Sequence, residues 1–136
     1  MSAAAQAIFA AALQHHRAGR FAEAVDFYQK TLSREPDHGD AMFNMAALLA
    51  QQGEFDQAVA LYNKVLALRP EDPETLSNLG NLQFGRGQIA AAEAMYRRAL
   101  AGNPNFIAAR ANLANACMRQ NKLAEAVTEF EAVLQR

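Results

Sequence analysis

The sequence predicts an all-α fold built of helix–turn–helix repeats, and three observations predict it. Pro36, Pro70 and Pro104 stand 34 residues apart. Each has a tyrosine eight residues upstream, at Tyr28, Tyr62 and Tyr96. Each of these stretches opens on a glycine turn, in Gly19-Arg20-Phe21, Gly53-Glu54-Phe55 and Gly87-Gln88-Ile89. A fixed period of this length marks a repeat array, whose units bury their apolar faces against their neighbours.

The elements follow in order. A first helix is expected over 4–18, where an alanine-rich apolar stretch runs up to Gly19. Met1 to Leu13 could pass for a secretory leader, but it lacks a positively charged start and continues into helical periodicity. The second helix, 21–34, carries Phe21, Ala24, Val25, Tyr28 and Leu32 at steps of three and four, and Pro36 forbids its continuation. The third, 39–52, is set by Met42, Met45, Ala46 and Leu49. The fourth, 55–68, repeats the second through Phe55, Ala58, Val59, Tyr62 and Leu66. Asp72 and Pro73 supply an N-cap and a first-turn proline for the fifth, 73–86. Ile89, Ala92, Tyr96 and Leu100 define the sixth, 89–102. Asn105 is expected to cap the seventh, 107–120, and Leu123, Ala126, Val127, Phe130 and Leu134 define the eighth, 123–135. Glycine at 19, 53 and 87 suits a left-handed helix stop, and Asn121 stands in for it in the fourth unit.

Bulk properties narrow the function. The chain has 136 residues, a net charge of −1 and 20% charged residues. That gives no electrostatic footprint for nucleic acid and no basic face for a membrane. Much of the 51% hydrophobic content is alanine, which suits close helix crossings. The single cysteine, Cys117, excludes an internal disulfide and a cysteine-based metal cage. No phosphate-binding glycine loop, serine elbow or HExxH occurs, so no enzyme activity and no cofactor are expected. His15 and His16 are adjacent and diverge by about 100° on a helix, which disfavours chelation of one metal. The expectation is one packed histidine, His15, and one exposed, His16. Cys117 reads as a buried, inert thiol. The acidic pairs Glu71-Asp72 and Glu125/Glu129 read as capping and solvated helix faces.

Asn78-Leu79-Gly80-Asn81, Gly87, Ala92, Tyr96, Ala99, Leu100 and Pro104 carry a family resemblance. The chain resembles the tetratricopeptide repeat (TPR) family over about residues 4–136. The resemblance implies a right-handed α-solenoid of four repeats and eight helices, as one domain with repeats at about 5–38, 39–72, 73–106 and 107–136. Ile8, Met42 and Leu76 replace the family's early tryptophan. Arg110 takes that place in the fourth repeat, where looser packing against the third is expected.

The family's concave groove is lined by the first helix of each repeat, which implies a set of partner-facing residues. These are Gln6, Phe9, Leu13, His16 and Arg17, then Asp40, Phe43, Ala47, Ala50 and Gln51. The third repeat adds Glu74, Ser77, Asn81, Phe84 and Gly85, and the fourth Ala108, Ala111, Asn115, Met118 and Arg119. Phe9 and Leu13 stand where the family's carboxylate clamp has lysine and asparagine, so a chaperone-tail clamp is not expected. The implied function is a cytoplasmic scaffold or adaptor that binds a protein or peptide ligand through this groove. The alternative is a TPR segment of a larger protein, such as a transferase, used for substrate recruitment or oligomerisation. The last helix is expected to present an uncovered apolar edge that supports self-association.

Overall fold

In the computed structural model, which describes residues 2–135, the chain forms eight α-helices and no strand among the described residues. They are α1 (Ala3–Arg17), α2 (Phe21–Arg34), α3 (Gly39–Gln51), α4 (Phe55–Leu68), α5 (Pro73–Gly85), α6 (Ile89–Gly102), α7 (Ile107–Arg119) and α8 (Leu123–Leu134). Every helix starts and stops within two residues of its expected bounds.

One stop signal is used four times. Gly19, Gly53, Gly87 and Asn121 all take positive φ, at 78°, 83°, 81° and 63°. The following amide then reaches back five residues. Arg20 N donates to His15 O at 2.9 Å, and Glu54 N to Leu49 O, Gln88 N to Gln83 O and Lys122 N to Cys117 O, each at 2.8 Å. This is the Schellman arrangement, which satisfies a carbonyl that the helix end would leave unpaired.

The helix starts are more varied. Ser2 Oγ accepts from Ala5 N at 3.1 Å, and Asp72 Oδ2 accepts from both Thr75 N and Thr75 Oγ1 at 3.1 and 2.6 Å. His38 caps α3 through Nδ1, which accepts from Ala41 N at 3.1 Å. The expected cap at Asn105 does not form: Phe106 holds the N-cap position of α7 without a side-chain bond. Instead Asn105 N donates to Asn103 Oδ1 at 3.2 Å, within the preceding turn.

The chain divides into two compact units, Met1–Leu68 and Arg69–Arg136. In the first, α1 packs on α2, α3 on α4, and α2 on α3. Tyr28 and Tyr62 are the largest side chains buried there, at 0% and 2% exposure, each four residues after a fully buried alanine, Ala24 or Ala58. The small residue lets the backbones cross closely and the aromatic fills the gap beside the crossing. In the second unit α5 packs on α6, α7 on α8, and α6 on α7. Ala92 and Tyr96 play the same parts.

Gly80 shows how tight this crossing is. A Cβ placed there would lie 2.8 Å from Tyr96 Cε1 and 3.2 Å from Met95 Cβ. Tyr96 cannot swing away, because it is buried and its hydroxyl donates to Asn81 Oδ1 at 2.7 Å. Gly80→Ala is therefore expected to destabilise by about 1–2 kcal/mol, the overpacking cost outweighing alanine's better helix propensity. Urea unfolding checks this, and a stabilised variant would show that the α5–α6 crossing has slack.

Arg110 is anchored at two points. It is half-buried, and its guanidinium donates to Glu129 Oε2 at 2.8 Å and to Pro104 O at 2.9 Å. The ion pair lies within the fourth repeat, between α7 and α8, and so does not bear on the packing against the third. Glu129 is correspondingly half-buried, so it does not belong to a solvated face.

Candidate functional site

The partner-facing residues fall on both units, and each unit is described by itself. In the first, α1 offers Phe9, Leu13 and His16, all half-buried, and the exposed Arg17. Phe9 leans into packing, its ring 4.6 Å from His38 and 6.2 Å from Tyr28. From α3 come the exposed Asp40, the half-buried Ala47 and Phe43, whose ring meets Tyr62 edge-on at 5.9 Å. The two phenylalanines are thus half-buried and each packs on buried rings.

His16 was expected to be exposed and is not. It is half-buried, with Nδ1 at 2.7 Å from Tyr28 Oη and its ring edge-on to Phe21. Burial pushes the Tyr28 phenol up to about 12, with Arg17 opposing. His15 stacks on Phe27 at 5.1 Å, and its Nδ1 accepts from Arg20 Nε at 2.9 Å. Both histidines are thus engaged in structural contacts.

In the second unit the structure brings three of the expected residues together. Asn81, Phe84 and Asn115 line a pocket of about 90 Å³ with Tyr96 and Asn112. Asn81 Oδ1 accepts twice, from Tyr96 Oη at 2.7 Å and from Asn112 Nδ2 at 3.0 Å. With both lone pairs engaged, Asn81 can offer a ligand only its Nδ2 hydrogens. Arg119 lies over Phe84, its guanidinium carbon 5.4 Å from the ring centroid, within cation–π range. Met118 is 50% exposed beside it on the sequence, and Glu74 is exposed at the start of α5. Ser77 is buried and takes no part in an outer surface. The pocket thus joins an aromatic wall to hydrogen-bond donors.

Asn112 and Tyr96 were not among the expected lining residues. The signal for Asn112 was present: it stands 34 residues after Asn78 and 68 after Asn44, in the same register of the repeat.

A second group of polar residues sits where α6 meets α7 and α8. Glu93, 9% exposed, accepts from Arg97 Nε at 2.8 Å, Lys122 Nζ at 2.9 Å and Gln120 Nε2 at 2.7 Å. Lys122, with help from Arg97 and Gln120, holds the Glu93 carboxyl down at about 2 against the opposing effect of burial. Arg97 also reaches Glu125 at 3.0 Å. Cys117 is fully buried beside them, its thiol pushed up by burial first and by Glu93 next. One ligand atom from each of Glu93, Cys117 and Glu125 lies within 4.8 Å of the others. This is a poor metal cage: Arg97 and Lys122 already neutralise its carboxylates, and the thiol is held protonated. The arrangement is an ion-pair network tying helices together.

Among the described residues, no helix is long and apolar enough to cross a membrane. No curated protein matches the chain in sequence. Solved structures resemble it at low identity. MamA 41-end from Desulfovibrio magneticus RS-1 is 21% identical, with a TM-score of 0.88 over 96% of this chain and 74% of that one. The first TPR of Spaghetti (RPAP3), bound to the HSP90 peptide SRMEEVD, is 22% identical, with a TM-score of 0.81 over 86% and 93%. A mutant O-GlcNAc transferase from Thermobaculum terrenum is 24% identical, with a TM-score of 0.75 over 83% and 22%. The tetratricopeptide repeat profile matches residues 15–82, 49–96 and 83–136. With the 34-residue period, the four identical helix stops and the buried alanine–aromatic pairs, these matches place the chain in the tetratricopeptide repeat family.

Proposed function

We propose that this protein is a binding module that holds a peptide or partner helix against the faces of its odd-numbered helices. One observation carries the reading. The pocket of Asn81, Phe84, Tyr96, Asn112 and Asn115 sets amide groups around an aromatic wall, open to solvent and unneeded for any ion pair. A peptide apolar side chain rests on Phe84, and its backbone carbonyls accept from Asn81 Nδ2. Such mixed apolar and polar contacts suit segment recognition. The first unit offers a separate surface of its own, with half-buried Phe9 and Phe43 as apolar anchors and Leu13, Ala47, His16, Arg17 and Asp40 beside them in the sequence pattern. As a segment of a larger protein such as a transferase, the chain would recruit substrates through the same residues.

The test is a displayed-peptide selection on the intact chain, followed by fluorescence anisotropy with a selected peptide. Asn115→Ala and Phe84→Ala should each weaken binding about tenfold, the equivalent of about 1.4 kcal/mol. Asn115 is exposed, so its variant should keep its helical content and melting temperature. Unchanged affinity in both variants would place recognition elsewhere.

A further inference from the structure

A cavity of about 330 Å³ lies in the first unit, between the turn that joins α2 to α3 and the last turns of α4. Pro36, Asp37, Met42, Lys64, Ala67 and Leu68 line it. Its volume falls in the range of small-molecule sites, which combine mostly apolar walls with a few polar groups. Met42 is buried and Leu68 is 42% exposed, while the two charges, Asp37 and Lys64, stand in solvent. None of the six is among the residues proposed for peptide recognition.

In the second unit the same two places neutralise each other. Thirty-four residues on, Glu71 and Arg98 stand where the first unit has Asp37 and Lys64. Arg98 donates to Glu71 through Nε at 3.1 Å and Nη2 at 2.8 Å, one bond to each carboxylate oxygen. Glu71 makes this pair from a left-handed backbone, with φ at 60°, which Asp37 does not adopt. Asp37 is also one methylene shorter, and lysine has no planar fork to match a carboxylate. Among the described residues, neither Asp37 nor Lys64 has an ion-pair partner. The apolar wall differs as well: Leu68 corresponds to Gly102, where a Cβ would meet Pro73 Cγ at 3.2 Å.

We propose that this cleft binds a free α-amino acid with an apolar side chain. The ligand's carboxylate pairs with Lys64, its ammonium with Asp37, and its side chain lies on Met42, Ala67 and Leu68. Charge complementarity selects a zwitterion, because a simple anion drawn to Lys64 is opposed by Asp37, and a simple cation drawn to Asp37 is opposed by Lys64. Each exposed charge contributes modestly in water, so selectivity comes from using both at once.

Methyl and amide chemical-shift titration of the intact chain with L-leucine tests this. Two analogues serve as controls: N-acetyl-L-leucine, which lacks the ammonium, and L-leucinamide, which lacks the carboxylate. Leucine should shift Met42, Ala67 and Leu68 to saturation, and each analogue should bind about tenfold more weakly. The variants should then each erase one preference. Lys64→Met should no longer prefer leucine to leucinamide, and Asp37→Asn should no longer prefer leucine to N-acetyl-leucine. Both positions are exposed, so both variants should keep the wild-type helical content and melting temperature. A merely structural role for either charge would weaken all three ligands together, and that result would overturn the proposal. Leucine that leaves the three residues unmoved, or analogues that bind as tightly as leucine, would overturn it too.

Discussion

Truncating Tyr96 to alanine is expected to lower the free energy of unfolding by about 3–5 kcal/mol, the usual cost of removing a buried aromatic ring. The ring is 1% exposed and packs against the face of Gly80, where no side chain can relax to refill the space. Its hydroxyl also fixes Asn81, which in turn accepts from Asn112. Tyr96→Phe separates the two contributions: it keeps the ring and should cost only about 1 kcal/mol, that of a hydrogen bond. The phenylalanine variant should nonetheless bind selected peptides less well, since Asn81 is then oriented by Asn112 alone. Urea titration gives the stabilities. A loss below about 1 kcal/mol for Tyr96→Ala would mean that the ring does not hold α5 to α6.

Glu93→Gln is the second large effect, and it carries a pH signature. The Glu93 carboxyl titrates at about 2 in the folded chain against an ordinary value of 4.5. A depressed folded value means that ionisation favours the fold above pH 4.5, and that the benefit disappears as pH falls toward 2. The size of the shift sets a ceiling of about 3–4 kcal/mol at neutral pH, and solvent screening brings the contribution to roughly 2–3 kcal/mol. Arg97 and Lys122 are half exposed, so they rehydrate when the carboxylate is lost and the upper figure is not exceeded. The wild-type chain should lose this much stability on acidification through that window. Glu93→Gln should start lower at neutral pH and show a flatter profile. Parallel wild-type and variant curves would show that the network does not depend on the Glu93 charge.

The fold could be read from the sequence because its information is periodic. Proline, glycine and tyrosine repeat in one register, so each weak local signal was counted three or four times. Asn121 was legible for the same reason, as the residue best able to replace glycine at a left-handed stop. What escaped lay where one repeat departs from the others. Glu93 occupies the register of Val25, Val59 and Val127. A charge there reads as a surface residue until Arg97, Lys122 and Gln120 are seen to converge on it from two directions. The partners of Arg110 escaped in the same way, because the packing of α7 on α8 brings Glu129 to it. Asn105 failed as a cap because α7 starts one residue later than such a cap requires, with Phe106 at the N-cap position. The pocket was half legible. Asn81, Phe84 and Asn115 follow from the register of the first helix in each pair, while the double hydrogen bond that orients Asn81 depends on a tyrosine from the second.

Peptide recognition on the odd-numbered helices is most directly tested by amide chemical-shift mapping of the intact chain titrated with a display-selected peptide. The largest shifts should cluster on α5 and α7, at Asn81, Phe84, Asn112 and Asn115, and should disappear when Phe84→Ala is titrated. Shifts confined to the outward faces of α6 and α8, with these four residues unmoved, would contradict the account.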